Sequence, residues 1–85
     1  MQHLRRKRLY QGEKVIIDGE ELARLIERYV NGPKAMRNRA ILREYYLHGK
    51  TYEQVAEEFG MSAVHVGRIV HRYGDPLLLM VRPKC

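Results

Sequence analysis

The stretch from Thr51 to Tyr73, TYEQVAEEFGMSAVHVGRIVHRY, contains two short amphipathic segments that are separated only by Gly60 and Met61. A glycine can adopt the left-handed conformation that ends a helix without a Cβ penalty. Ser62 is a typical cap for the start of a following helix. Because so few residues join the segments, the second helix must leave the first at a fixed angle. The spacing therefore predicts a helix-turn-helix over residues 51–73.

Both halves of this predicted motif carry the residues that its packing requires. Thr51 and Gln54 form a capping-box pair at the start of the first half. Ala56 is small at the point where the two helices cross. The apolar side chains that recur at helical spacing and would form the inner faces are Val55, Ala56, Phe59, Val66, Ile69 and Val70.

Two further helices are predicted upstream of the motif. The segment DGEELARLIERYVNGP has Asp18 as a candidate N-cap and ends in the Asn-Gly-Pro run that stops a helix. A second helix is expected over about 33–48, with Pro33 in its first turn and Met36 facing the core. Together with the motif, these elements predict a mainly α fold, a four-helix domain that ends in the helix-turn-helix.

Short edge strands are expected near Val15 and near Leu79. The first lies in a β-branched run, and the second in an apolar run that follows the helix-breaking sequence Gly-Asp-Pro at 74–76. An isolated pair of strands is marginal in water. The strands could therefore pair with each other, pair with those of a second copy, or pack as extended covers on the helices.

The charge balance limits the class of partner. The 85-residue chain has 16 Lys and Arg against 10 Asp and Glu, a net charge of +6 at pH 7. This balance suits a polyanion such as nucleic acid, although many basic proteins bind none. The cluster HLRRKR lies in residues 1–12, which we interpret as a flexible basic arm, either bound along phosphates or solvated. Residues 13–85 are expected to form a single helical domain.

Other classes of function have little support in the sequence. The single cysteine, Cys85, allows no disulfide framework within the chain, so a reduced, cytoplasmic location is expected. The basic start is not followed by the apolar stretch of a signal peptide, and the longest apolar run, PLLLMV, is too short to cross a membrane. We find no metal-binding set, no cofactor motif and no nucleophile–base pair, and we expect neither a cofactor nor enzyme activity.

Residues 37–73, RNRAILREYYLHGKTYEQVAEEFGMSAVHVGRIVHRY, resemble the fourth conserved region of bacterial primary-type sigma factors. In that region a helix ending in YYL-G precedes TYEQVAEEFGMS. The segment is similar also to the C-terminal half of the Mor/C family of phage transcription activators. The resemblance covers a little under half of the chain. It implies binding of double-stranded DNA in a transcription-related role, with RNA polymerase as a candidate partner.

The outward positions of the last predicted helix are candidate base contacts, because the second helix of such a motif lies in the major groove. Arg68 is the strongest, since a guanidinium can donate to guanine O6 and N7 together. Sigma region 4 commonly carries Arg, Glu or Gln at these places, whereas Ala63 and Val64 can offer only apolar contact. This departure favours recognition through DNA shape or through a second subunit. The full set is Ser62, Ala63, Val64, His65, Gly67, Arg68 and His71.

A second set of residues is predicted to contact phosphates. Cations that meet phosphate add affinity and salt dependence but no sequence information. The start of the third helix can also meet a phosphate through its backbone N–H groups. The candidates are Arg5, Arg6, Lys7, Arg8, Arg39, Arg43, Lys50, Thr51, Tyr52, Gln54 and Arg72.

These features predict a sequence-selective DNA-binding protein, a bacterial or phage transcriptional regulator that inserts helix 62–73 in the major groove. A homodimer is expected, because one recognition helix offers a small specific interface that two-fold pairing doubles. Two alternatives stay open at this point: a protein-interaction adaptor with a sigma-like surface, and a phage DNA-packaging or recombination subunit. RNA binding is disfavoured by the lack of an aromatic stacking platform.

Overall fold

Two short strands precede the helices in the computed structural model, which describes residues 6–9, 13–16 and 18–81. Strand β1 (Arg6–Leu9) pairs antiparallel with β2 (Glu13–Ile16), and Lys7 lies opposite Val15. β1 thus falls within residues 1–12, the segment interpreted from the sequence as a flexible basic arm. The rest of that segment, residues 1–5 and 10–12, lies outside the described residues.

Helix α1 (Gly19–Tyr29) begins as predicted, because Asp18 Oδ1 accepts hydrogen bonds from the backbone N–H groups of Glu20, at 3.0 Å, and Glu21, at 3.4 Å. The chain then turns at Gly32, where φ is 108°, and α2 covers Ala35–Tyr46. The predicted second helix was two residues too long at each end. Met36 was wrongly assigned to the core, since it is 84% exposed.

The two halves of the predicted motif and their caps are confirmed. Helix α3 covers Tyr52–Phe59, and Thr51 forms the expected capping box with Gln54. The Gln54 N–H donates to Thr51 Oγ1 at 3.1 Å, and the Thr51 N–H donates to Gln54 Oε1 at 2.9 Å. Gly60 has a left-handed φ of 65°, and Ser62 Oγ caps helix α4 (Ala63–Ile69) by accepting from the His65 N–H.

The prediction of a helix break at 74–76 and a strand near Leu79 is wrong. A π-helical turn (Val70–Gly74) continues α4 directly into α5 (Asp75–Met80), which contains Leu79. Proline has no N–H to donate, and its ring crowds the carbonyl four residues earlier in an α-helix. The wider π turn just before Pro76 relieves this conflict, so the helical path continues through the proline.

All of these helical segments contribute to one core. The five α-helices and the π turn meet there, α3 packs on α4, and α5 returns to pack on α1. The packing leaves one side of α4 against the protein and the other side outside the core. The buried apolar side chains of this core are Leu22, Ile26, Val30, Ile41, Leu42, Tyr46, Val55, Ala56, Val66, Ile69, Val70, Leu77, Leu78 and Val81.

The corner at Gly60 gives a direct test of the backbone geometry. A Cβ added there would have no atom within 4 Å, so its effect comes from the positive φ alone. We expect Gly60→Ala to lower the free energy of unfolding by about 1 kcal/mol, the lower end of the usual strain for a left-handed residue with a Cβ. Gly60→Asn should lose less, because Asn tolerates this conformation. Urea denaturation measures both, and an alanine variant as stable as the parent would contradict the assignment.

Candidate nucleic-acid interface

The outer side of α4 is open to solvent along its length. Val64 is 67% exposed, and the side chains of His65, Arg68, His71 and Arg72 are exposed as well. Because α4 continues into the π turn, these residues form one helical surface. Of the predicted base contacts, Ser62 is exposed but caps the helix, and Ala63 is half-buried. The structure therefore brings most of the predicted base-contacting residues together on an uncovered face.

Gly67 is the exception, and its predicted role was wrong. It is buried on the inner side of α4, where an added Cβ would lie 3.3 Å from Cε2 of Tyr52. The absence of a side chain thus lets the Tyr52 ring lie close to the α4 backbone. The Tyr52 ring also packs against Tyr45, with ring centroids 4.9 Å apart. Gly67 and Tyr52 thus set the spacing of α3 and α4, and the phosphate contact predicted for the half-buried Tyr52 stays a prediction.

Two concave surfaces flank α4. We name the first the α3 cleft; it lies between Tyr52 and Glu53 of α3 and Ala63, Val64, Gly67 and His71. We name the second the α2 cleft; it lies between Lys34, Arg37 and Asn38 at the start of α2 and His65, Ile69 and Tyr73. Arg68 and Arg72 border both clefts. The outer side of α4 is therefore a ridge with a depression on each side.

Arg39, a predicted phosphate contact, is half-buried and bound to the end of α1. Its Nε donates to the backbone carbonyl of Val30 at 2.7 Å, and its Nη2 donates to Asn31 Oδ1 at 3.0 Å. Its side chain is only 23% exposed and lies 3.9 Å from a carboxylate oxygen of Glu27. Arg39 thus ties the end of α1 to α2, which is a different role from the one predicted.

Two more predicted phosphate contacts are paired with carboxylates. Arg43 forms an ion pair with Glu27, and Lys50 forms ion pairs with Glu44 and, at 2.8 Å, with Glu58. The hydrogen bonds that the Lys50 ammonium donates to Glu44 and, next in effect, to Glu58 raise the pKa of Lys50 above its ordinary value. Since these charges are already neutralised by neighbours, they contribute little to a surface that attracts an anion.

The remaining predicted phosphate contacts differ in their surroundings. Thr51 and Gln54 are exposed but use their side chains in the capping box, and exposed Glu53 beside them places a negative charge at the start of α3. Arg72 is exposed and lies over the Tyr73 ring, 5.7 Å from its centroid. Arg6, Lys7 and Arg8 belong to β1, and Arg5 lies outside the described residues. Their contact with phosphate stays a prediction.

Charge on the ridge itself is mostly unpaired. Among residues 18–81, neither Arg68 nor Arg72 forms an ion pair with a carboxylate. His71 does have an acidic neighbour, because its Nδ1 lies 3.0 Å from Asp75 Oδ2 one turn later. The ridge therefore presents two free guanidinium groups and His65 to any molecule that approaches it.

The α2 cleft contains residues that were not among the predicted contacts. Lys34 and Arg37 border it, and within the part of the chain that the structure describes neither has an acidic partner. They belong to the same basic segment of the chain, residues 34–43, as Arg39 and Arg43. Only the tertiary contacts separate the two paired cations from the two free ones. The sequence signal that could have identified Lys34 and Arg37 is their position at the start of α2, where the helix dipole favours an anion.

A comparison with known protein families identifies the motif. Residues 36–73 match the family model described as Sigma-70, region 4, which covers a little under half of the chain. This match supports a helix-turn-helix like that of sigma region 4, and such domains bind DNA and RNA polymerase. The match contains nothing specific to the Mor/C activators. No curated protein and no solved structure is significantly similar to the chain.

The described residues contain no helix that is both long enough and apolar enough to span a membrane.

Proposed function

We propose that this protein is a sequence-selective binder of double-stranded DNA, a bacterial or phage transcriptional regulator that acts by binding rather than by catalysis. The observation that carries the proposal is the uncovered ridge of α4, on which Arg68 and Arg72 have no carboxylate partner. The match of residues 36–73 to sigma region 4 supports it, because the match includes the whole helix-turn-helix.

A single exposed helix face of this kind suits the major groove. A B-DNA major groove is roughly 12 Å wide and admits one α-helix. In that position the first turn of α4 offers Val64 for apolar contact and His65 for a hydrogen bond. In this proposal Arg68, one turn later, donates to both O6 and N7 of a guanine. The depressions on each side of the ridge leave room for the two backbones that border the groove.

A homodimer belongs to the proposal. Only a few side chains on the ridge can reach base edges, so a single subunit offers limited discrimination among sequences. Two subunits on a near-palindromic site double the number of contacts and place the ridges about one helical turn of DNA apart, roughly 34 Å. Size-exclusion chromatography with light scattering, on the free protein and on its DNA complex, measures the subunit number.

A second candidate function is a protein-interaction adaptor. It is favoured by the outer side of α3, where Glu53 and Glu57 are exposed and the net charge is opposite to that of the ridge. A negative surface of this kind suits a basic protein partner, for which RNA polymerase is the candidate that the sigma-like motif indicates. The base contacts proposed for the ridge and this protein contact use different helices, and they share only the α3 cleft, which Glu53 also lines.

The proposed function predicts salt-sensitive DNA binding. Each phosphate that a cation neutralises adds about 0.9 to the slope of log K against log salt. With three or four such contacts per subunit, raising the salt from about 50 to about 200 mM should weaken binding roughly 40- to 150-fold for one bound subunit, and roughly 2,000- to 20,000-fold for a dimer, which has twice as many contacts. A mobility-shift titration of a duplex selected from a random pool measures this change.

Two controls complete the titration. A single strand of the same sequence should bind more weakly than the duplex, and a protein partner captured through the outer side of α3 should lose much less affinity over the same salt range. If the protein shifts no duplex at the lower salt concentration, the DNA-binding proposal is wrong and the adaptor becomes the leading candidate.

A further inference from the structure

The α2 cleft differs from the rest of the surface in the chemistry of its lining. Its volume is about 430 Å³. Lys34, Arg37, Arg68 and Arg72 bring four cationic side chains to its border, with His65 beside them, and the lining contains no Asp or Glu. The α3 cleft, by contrast, includes Glu53. The α2 cleft is therefore a depression that attracts negative charge without a built-in counter-ion.

Asn38 adds a directed hydrogen-bond donor to this cleft. It lines the cleft although it is only 4% exposed, which makes it the one buried polar residue of the described core. Its Oδ1 accepts from Arg37 at both Nε, 3.2 Å away, and Nη2, 3.1 Å away. A guanidinium can only donate, so this pairing fixes which end of the amide faces Arg37. The NH2 end is left as the donor.

The Nδ2 group of Asn38 donates to no acceptor among residues 18–81. The atom is not fully enclosed by protein, so its acceptor is supplied by water or by a ligand in the cleft. Because Asn38 lies at the wall of a cationic cleft, the acceptor that best suits its Nδ2 donor is an anionic oxygen.

The start of α2 also favours an anionic ligand in this cleft. Lys34 stands at the N-cap position but forms no side-chain cap, so the first turn of the 12-residue helix α2 retains backbone N–H groups without a side-chain acceptor. These groups carry the positive end of the helix dipole. Phosphate oxygens are commonly bound by this combination of helix start and cationic side chains.

We propose that the α2 cleft is a phosphate-binding site, with Lys34 and Arg37 as its cations and Asn38 Nδ2 as its directed donor. The phosphoryl group belongs either to the DNA backbone that borders the groove beside α4 or to a free phosphorylated molecule. The first source rests on the proposed function, and the second does not. Arg37 acts doubly, because its guanidinium also orients the amide of Asn38.

The experiment compares three single variants, Lys34→Gln, Arg37→Gln and, as the matched control, Arg24→Gln. Each removes one positive charge, but Arg24 is an exposed residue of α1 that does not border the cleft. Arg37→Gln loses the hydrogen bonds to Asn38 and could disturb folding. Lys34→Gln should fold normally, because Lys34 is exposed and forms no side-chain cap, so it tests the cleft independently. Circular dichroism checks the fold of all three.

In the DNA arm, the slope of log K against log salt is measured for a selected duplex. We expect the slope to fall by about 1 per bound subunit for Lys34→Gln and for Arg37→Gln, with preference among sequences unchanged and Arg24→Gln close to the parent. This result identifies the DNA backbone as the source of the phosphate.

In the free-ligand arm, inorganic triphosphate is titrated into the protein without DNA, and amide NMR follows the Asn38 side chain and the first turn of α2. Saturable shifts in the parent that are lost in Lys34→Gln, together with unchanged salt slopes, identify a free phosphorylated molecule as the ligand. If the slopes are unchanged and triphosphate also leaves these signals unmoved, the site does not exist. A parent protein that binds no duplex at all would contradict the proposed function, and the triphosphate titration would still decide the cleft.

Discussion

Replacing Gly74 with alanine is expected to destabilise this protein by about 2 kcal/mol. A Cβ at this position would lie 2.5 Å from Oη and 2.8 Å from Cε2 of Tyr46. The Tyr46 ring is fully buried in the core, so it has little room to move. Overpacking of this kind ordinarily costs about 1–3 kcal/mol, and occasionally more. Alanine has a helix propensity up to about 1 kcal/mol more favourable than that of glycine, which by itself would raise the free energy of unfolding. A net decrease would therefore show that the steric conflict with Tyr46 dominates.

Thermal unfolding is the appropriate measurement. For a domain of this size, about 2 kcal/mol corresponds to a fall in Tm of roughly 10 °C. Gly67→Ala is the matched control in the same continuous helix, because its nearest contact would be 3.3 Å from the edge of the half-buried Tyr52. That variant should change the free energy of unfolding by less than about 1 kcal/mol, since the gain in helix propensity offsets a small displacement.

A double variant separates the proposed cause from a general loss of packing. Tyr46→Phe removes Oη, which is the closest atom to the added Cβ. The penalty of Gly74→Ala should therefore be smaller in the Tyr46→Phe background than in the parent, giving a coupling free energy of about 0.5 kcal/mol or more. A Gly74→Ala protein that melts at or above the parent temperature would mean that the π turn does not bring residue 74 against Tyr46.

Arg68→Ala is expected to remove discrimination between DNA sequences while leaving a weak general affinity. A bidentate contact from arginine to guanine contributes about 1–3 kcal/mol of preference for the correct base. Arg68 is exposed in the middle of the ridge and has no acidic partner among the described residues. The ratio of affinities for a selected duplex and an unrelated duplex should therefore fall roughly 5- to 150-fold.

The measurement is a competition titration at constant salt concentration, because charge loss alone lowers affinity for every sequence. Arg72→Ala is an informative comparison, since Arg72 borders the same two clefts and is predicted to meet phosphate. It should weaken both duplexes about equally. Arg28→Ala, on α1, controls for the loss of one positive charge elsewhere. Unaltered discrimination in the Arg68 variant would remove this residue from base recognition.

Local chemistry explains the features that were predicted correctly. Asp18, Thr51 and Ser62 cap helices through hydrogen bonds to backbone groups no more than three residues away, and Gly60 ends α3 because a left-handed residue without a Cβ is unstrained. Such interactions depend on a few neighbouring residues. The apolar spacing of Val55, Val66 and Ile69 likewise follows from helical geometry, so the helix-turn-helix was visible in the residues themselves.

The errors come from places where distant parts of the chain meet. Gly-Asp-Pro at 74–76 is a strong local signal for a helix end, yet packing of Leu77 and Leu78 into the core keeps this segment helical. A π turn absorbs the conflict with Pro76. Leu79 then lies on the outside of α5, 63% exposed, where the sequence favoured a strand.

The sequence by itself determined the helix caps, the corner at Gly60 and the outward direction of Arg68, because each depends on residues within one or two turns of helix. Only the tertiary structure decided which cations are free. Arg39, Arg43 and Lys50 are held by carbonyl or carboxylate groups from other elements, whereas Lys34 and Arg37 meet α4 across the α2 cleft. The physical reason is that charge pairing depends on distances between helices, and no short-range pattern in the chain specifies those distances.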